Sequence, residues 1–127
     1  MPVPPSKARG HPLHDDRMLR VLQSLGEGLN LDIRELVVQR ESMSAAHEAD
    51  GRPRPPEIAA NYSIDENLAA PTPERFGVFD DLLTTGSHFK AMRMVLEARF
   101  PDVPVTGIFI ARRVPDPDEI LGFLKDV

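Results

Sequence analysis

A chain of 127 residues, 41% hydrophobic and 28% charged, has the balance of one globular core and not of a disordered segment. Its net charge of −5 and pI near 5.3 give no electrostatic footprint for nucleic acid or for an anionic membrane. The absence of cysteine excludes disulfides, thiolate catalysis and cysteine-ligated zinc together. The opening "MPVPPSKARG" has no signal-peptide core and no apolar run reaches membrane-spanning length, so a cytoplasmic location is expected.

Residues 2–4 read as the end of a short strand that runs into the loop "PPSKARGHP". From Pro12 the pattern becomes helical: Asp15 and Asp16 stand in the first turn, where the dipole favours acids, and Met18, Leu22, Leu25 and Leu29 recur at helical spacing. "GEGLN" ends that helix, and "IRELVVQ" is a β-rich run suited to a buried strand at 35–39. "RESMSAAHEADGRPRPPE" has no sustained period and carries Gly51 and three prolines near its end, which predicts a long, mobile loop. "IAANYSID" suits a brief edge strand near 60–64, and "RFGVF" a compact apolar strand over 75–80. A helix is expected from Ser87, with Phe89, Met92 and Leu96 on one face and Lys90, Arg93 and Glu97 on the other, stopped by Pro101. "VPVTGIFIA" is the clearest strand. Asp116-Pro117-Asp118-Glu119 then supplies an N-cap, a proline at the first helical position and a capping-box Glu for a last helix to Lys125. The 13 prolines fall between these segments, as punctuation.

Strands alternating with amphipathic helices imply βαβ units, and so a three-layer α/β/α fold around a mainly parallel sheet covered on both faces. Ligands of such sheets bind beyond the carboxyl ends of the strands. Asp80, Asp81 and the turn "TTGS" are expected there, and Arg112 and Arg113 beyond the end of the next strand. Successive N–H groups of Thr84, Thr85, Gly86, Ser87 and His88 at a helix start suit a phosphate, and Gly86 lets it approach without a Cβ in the way. A neighbouring pair of carboxylates suits vicinal hydroxyls or a hydrated divalent cation. Together they describe a site for ribose 5-phosphate. Either motif alone is read as a capped helix with two solvated aspartates; the whole string in its strand–loop–helix setting is not.

The string "FGVFDDLLTTGSHF" resembles the phosphoribosyl-pyrophosphate motif of type I phosphoribosyltransferases. "VPVPPSKARGHP" resembles the first-strand segment of the competence-associated ComF-type branch of that family. "QRESMSAAHEADGRP" with "NYSI" loosely echoes a further region of the branch, and "GIFIARR" its arginine-ended strand. The likeness spans about residues 2–113 and is densest at 76–88. It implies a phosphoribosyltransferase-like fold in which the strand at 2–4 lies between those at 35–39 and 75–80. It also implies roles by position. Asp80 and Asp81 are the catalytic pair, binding the ribose hydroxyls with Mg²⁺ nearby; Thr84 to His88 wrap the 5-phosphate; Ser6 and Lys7 face the pyrophosphate. The loop from Arg40 to Arg54 becomes a cover that excludes water. No segment has the character of the hood that recognises the base, and the zinc module of ComF-type proteins is missing. The sequence therefore reads as one phosphoribosyltransferase-like domain over 1–127 lacking an N-terminal hood or first-strand segment. Two functions compete: a Mg²⁺-dependent transferase with an unidentified acceptor, or a non-catalytic module that senses phosphoribosyl pyrophosphate or a nucleotide in regulation or DNA uptake. A homodimer is left open by both. A phosphatase reading of the Asp pair is disfavoured, because that chemistry spaces its acids D-x-D.

Other polar residues are read plainly. His11 and His14 straddle Pro12 and His47 lies far off, so locally bonded or exposed histidines are expected there. His88 stands apart because it follows the phosphate turn. Arg112 and Arg113 are evenly balanced between a solvated strand end and an anion contact.

Overall fold

The computed structural model describes residues 1–43, 51 and 53–125. It is a small mixed α/β fold. Its elements are α1 (Arg17–Leu25), β1 (Val37–Gln39), α2 (Pro55–Ala60), β2 (Tyr62–Ile64), β3 (Phe76–Leu83), α3 (Ser87–Arg99), β4 (Val105–Arg112) and α4 (Pro117–Lys125). Among the described residues no helix is long and apolar enough to cross a membrane.

β3 and β4 run parallel, Phe76 opposite Val105 and Leu83 opposite Arg112. This is the pairing expected of a strand–helix–strand unit. The first residues lie along the other edge of β3, also parallel. Phe79 donates to the carbonyl of Met1 at 2.8 Å, and Val3 donates to the carbonyl of Phe79 at 2.9 Å. The predicted strand at 2–4 is thus a single bridge beside β3, because the prolines at 2, 4 and 5 have no N–H to extend a ladder. β1 pairs antiparallel with β2, Val37 opposite Ile64, which places the predicted edge strand where it was expected. No ladder joins β1 to the first residues, so the parallel pairing expected for 35–39 does not form among the described residues. Pro2 to Pro5 and Val37 to Gln39 nevertheless line one small cavity together.

α3 starts and stops where its sequence says. Ala91, Met92 and Leu96 are buried on one face, and Arg93 reaches Glu97 at 2.6 Å on the other. Phe100 ends the helix and packs on Phe76 with ring centroids 5.2 Å apart. Phe89 meets Phe109 of β4 edge-on at 6.0 Å. Gly107 makes room for that pair: a Cβ there would stand 2.7 Å from the Phe109 ring and 3.1 Å from that of Phe89. The buried cluster is completed by Val3, Leu36, Val37, Ile58, Tyr62, Ala69 and Val78.

Four local expectations need correcting. α1 begins at Arg17 and not at Pro12, because turns closed by Ala8 and His11 occupy the preceding residues. Asp15 acts ahead of the helix, accepting from the Arg17 amide at 2.9 Å, while Leu25 and Leu29 of the supposed apolar face are exposed. Residues 55–60 are helical, where a loop end and a strand were expected. Pro55 and Pro56 supply the fixed φ of a first turn, Glu57 accepts from the Arg54 amide at 3.1 Å, and Ile58 is buried. β3 and β4 each run further than predicted, so Asp80, Asp81 and Arg112 lie within strands. Among the described residues the face of β4 away from Phe89 is uncovered, where cover on both faces of the sheet was expected: Ile108 and Ile110 are exposed there, and so is every described side chain of α4. α4 itself begins as its sequence predicts, with the Asp118 amide donating to Asp116 at 2.7 Å and the Asp116 amide to Glu119 at 3.3 Å. Most of the predicted cover, residues 44–50 and 52, lies outside the described residues.

Burial sets the energetic weight of each face. Leu96→Ala, in the fully buried seam of α3, is expected to cost about 2–5 kcal/mol in denaturant unfolding. Ile110→Thr, on the uncovered face of β4, is expected to change stability by less than about 0.5 kcal/mol.

Candidate functional site

The carboxyl end of β3 opens into a cleft of ≈ 420 Å³. Its walls bring together Ser6 from the first loop, Asp15, Arg17 and Met18 from the start of α1, Asp80 to Leu82 of β3, and Thr84 and His88 around the following turn. Parallel alignment is the cause. The first residues and β3 point the same way, so the loop at 4–6 and the residues after Phe79 emerge at one edge of the sheet.

Asp80 is half-buried and Asp81 exposed. Asp80 accepts from the Asp81 amide at 2.9 Å and Asp81 from the Leu82 amide at 2.7 Å, which fixes both side chains against their own backbone. Burial pushes the Asp80 carboxyl above its usual range, and its neighbour Asp81 adds to this, while the Asp81 amide and His88 pull the other way. Asp80 is therefore a carboxylate held at some cost.

The turn between β3 and α3 is shaped by a glycine. Gly86 is left-handed, with φ 74°, and caps the start of α3. A Cβ there would meet only Leu83, at an ordinary 3.6 Å, so the demand for glycine comes from the backbone conformation. Thr85 and Ser87 share a hydroxyl–hydroxyl bond of 2.9 Å across the turn. The amides of Thr84, Thr85 and Gly86 take part in no hydrogen bond among the described residues. The amide of Ser87, the first helical residue, donates to Thr85 Oγ1 at 3.4 Å, so the unpaired N–H groups are those of the turn just ahead of the 13-residue helix.

Other expected residues are placed elsewhere. Lys7 lines the small cavity beside β1, and its ammonium donates to the Met43 carbonyl at 3.3 Å. Arg113 pairs with Glu119 of α4, and Arg112 lies opposite Leu83 in the ladder; neither lines the cleft. His11 accepts from the Leu13 amide and His14 donates to the Lys7 carbonyl at 2.8 Å, so both are locally bonded. His47 lies outside the described residues. Among the described residues no group of three or more acids or histidines is placed to hold a metal ion.

Two contributors were not singled out from sequence. Arg17 brings a cation into the cleft, where it faces Asp15 at 3.4 Å. Its only sequence signal was its place after an acid pair, which reads equally well as ordinary helix-start chemistry. Tyr62 lies behind the cleft, buried, with its hydroxyl 3.3 Å from Nδ1 of His88. No local pattern ties those two residues together. Comparison with family models, with curated proteins and with solved structures gives no match for this chain.

Two substitutions test the electrostatics and the turn. The folded chain holds the Asp80 proton more tightly than the unfolded chain does. Its contribution to stability is thus full below the ordinary Asp value of 3.8 and is lost as pH rises through the raised value. Asp80→Asn keeps the acceptor for the Asp81 amide and removes the charge. At pH 7 it should raise the melting temperature slightly, by up to about 3 °C, and flatten the stability change on the alkaline side of 3.8. Gly86→Ala should cost about 1–2 kcal/mol and Gly86→Asn less, since Asn tolerates the left-handed region.

Proposed function

We propose that this chain binds phosphoribosyl pyrophosphate, or a nucleotide phosphate, through the segment Asp80 to His88, as a phosphoribosyltransferase-like protein of the cytoplasm. The observation that carries the reading is the convergence of Asp80, Asp81, Thr84, His88 and Ser6 on one cleft at the carboxyl edge of a parallel strand pair. The contacts of α1 with β3 and of α3 with β4 are compatible with a three-layer phosphoribosyltransferase-like arrangement. In this assignment the ribose hydroxyls meet the two carboxylates. The 5-phosphate takes the free amides of the turn and the hydroxyls of Thr84, Thr85 and Ser87. Ser6 and Arg17 flank the pyrophosphate.

The carboxylate pair fits a hydrated Mg²⁺. Each side chain has one oxygen committed to its neighbouring amide, which leaves the other to hold a cation or its water. The ion, when bound, supplies neutralisation of pyrophosphate charge. In the transfer the C1–O bond to pyrophosphate breaks, pyrophosphate keeps the electron pair, and the acceptor's lone pair forms the new bond to C1. The residues here serve to position the ribose. A second reading, binding without turnover, is favoured by Lys7, whose ammonium is tied to the Met43 carbonyl and away from the cleft.

Thermal-shift titration and pyrophosphate release separate these readings. Phosphoribosyl pyrophosphate with Mg²⁺ should stabilise the fold by about 2.7 kcal/mol at a hundredfold excess over Kd. The variant Asp80→Asn with Asp81→Asn should lose that shift. Little or no pyrophosphate release against a panel of purine and pyrimidine bases is expected. Rapid release with any base would establish turnover, and no shift at all would remove both readings.

A further inference from the structure

Behind the cleft a buried phenol meets an exposed imidazole. Tyr62 is 2% exposed, and its hydroxyl lies 3.3 Å from Nδ1 of His88, 26 residues away in the chain. β2 supplies the phenol and the first turn of α3 the imidazole, so the contact spans two elements. Burial first, and the Asp80 carboxylate second, hold the phenol well above its ordinary pKa, so the hydroxyl keeps its proton. That proton needs an acceptor. Among the described residues, His88 Nδ1 is the partner of this hydroxyl. If Nδ1 carried a hydrogen and donated, the phenol proton would be left unpaired in the interior, at a cost of about 1–3 kcal/mol. The phenol therefore donates to a bare Nδ1, which places the ring hydrogen on Nε2. With Nδ1 engaged on the buried side, Nε2 is the nitrogen left to the cleft that His88 lines.

We propose that Tyr62 is a positioning residue that holds His88 as its Nε2–H tautomer, so that His88 offers an N–H donor to the phosphate bound at the Thr84–His88 turn. The ligand half of this inference rests on the phosphoribosyl-binding reading, and the tautomer half on the chain alone. A donor at this place adds a fixed, directional contact to the free amides of the turn. It also links the β1–β2 pair to the phosphate through one hydroxyl.

The test uses the full chain labelled at histidine nitrogen, with ribose 5-phosphate as the probe. In the free protein, with the ring neutral, His88 should show an acceptor-type Nδ1 and a protonated Nε2. Tyr62→Phe, which keeps the buried ring, should move both nitrogen shifts toward the average of the two tautomers. The same variant should weaken ribose 5-phosphate binding by about three- to tenfold. The side chain of His88→Gln places an amide N–H near the Nε2 position and should bind within about twofold of wild type, whereas that of His88→Asn stops short and should lose about as much as Tyr62→Phe. Tyr62→Phe added to His88→Gln should cost no more than about twofold further, as a coupled pair requires. A protonated Nδ1 in the free wild-type protein overturns the Tyr62 contact. Equal affinity in the Gln and Asn variants overturns the donor role. A wild-type chain that does not bind ribose 5-phosphate overturns the ligand half together with the phosphoribosyl reading. The nitrogen shifts, which need no ligand, tell that failure apart from a failure of the Tyr62 contact.

Discussion

The two hydrogen bonds between Phe79 and the first residues, at 2.8 and 2.9 Å, are what the rest of the structure depends on. They set the opening segment parallel to β3 in a register that cannot slip, since the neighbouring prolines offer no alternative donors. Ser6 and Asp80 then leave the sheet at the same edge. With β4 parallel on the far side of β3, the connecting helix α3 must start at that edge too. The cleft is a consequence of strand direction, and the chemistry of its walls is a consequence of which residues follow each strand.

That logic accounts for what could be read from the sequence and what could not. α3 was legible because three independent signals agree: a glycine before it, a period-3.6 apolar face through Met92 and Leu96, and Pro101 after Phe100. β3, β4 and the cap of α4 were legible for similar reasons. The helix at 55–60 was not, because consecutive prolines serve a loop and a helix's first turn equally well. Only the burial of Ile58 decides between them, and burial is set by distant residues. The acids, the turn and Ser6 of the candidate site were local in sequence and could be found there. Arg17 and Tyr62 were not, since their roles depend on how α1 and β2 are placed against β3 and α3. Lys7 shows the converse: next to Ser6 in sequence, it is drawn off by a carbonyl of residue 43.

The site also costs the fold something. A carboxyl half-buried beside a second acid is raised above its usual pKa, and a left-handed turn excludes every ordinary side chain at one position. Neither feature helps the core, which is built from Val78, Met92, Leu96 and their neighbours without them. Local rules broken at one place in an otherwise consistent segment are expected where a ligand is bound. Asp80 lines the cleft, and Gly86 follows its Thr84 wall by two residues.

Burial is distributed in the way such a site needs. Of the residues that line the cleft, Val3 and Pro4 are buried, and Val3 belongs to the core cluster, so the apolar floor is anchored in the core itself. At its rim, Ser6, Asp81, Leu82 and Thr84 are exposed. A ligand entering here displaces water from free amides and loses no packing. The ordering cost falls on a few short side chains, where it is least. A polar rim on an apolar floor therefore allows an anion to be gripped while the core beneath it stays unchanged.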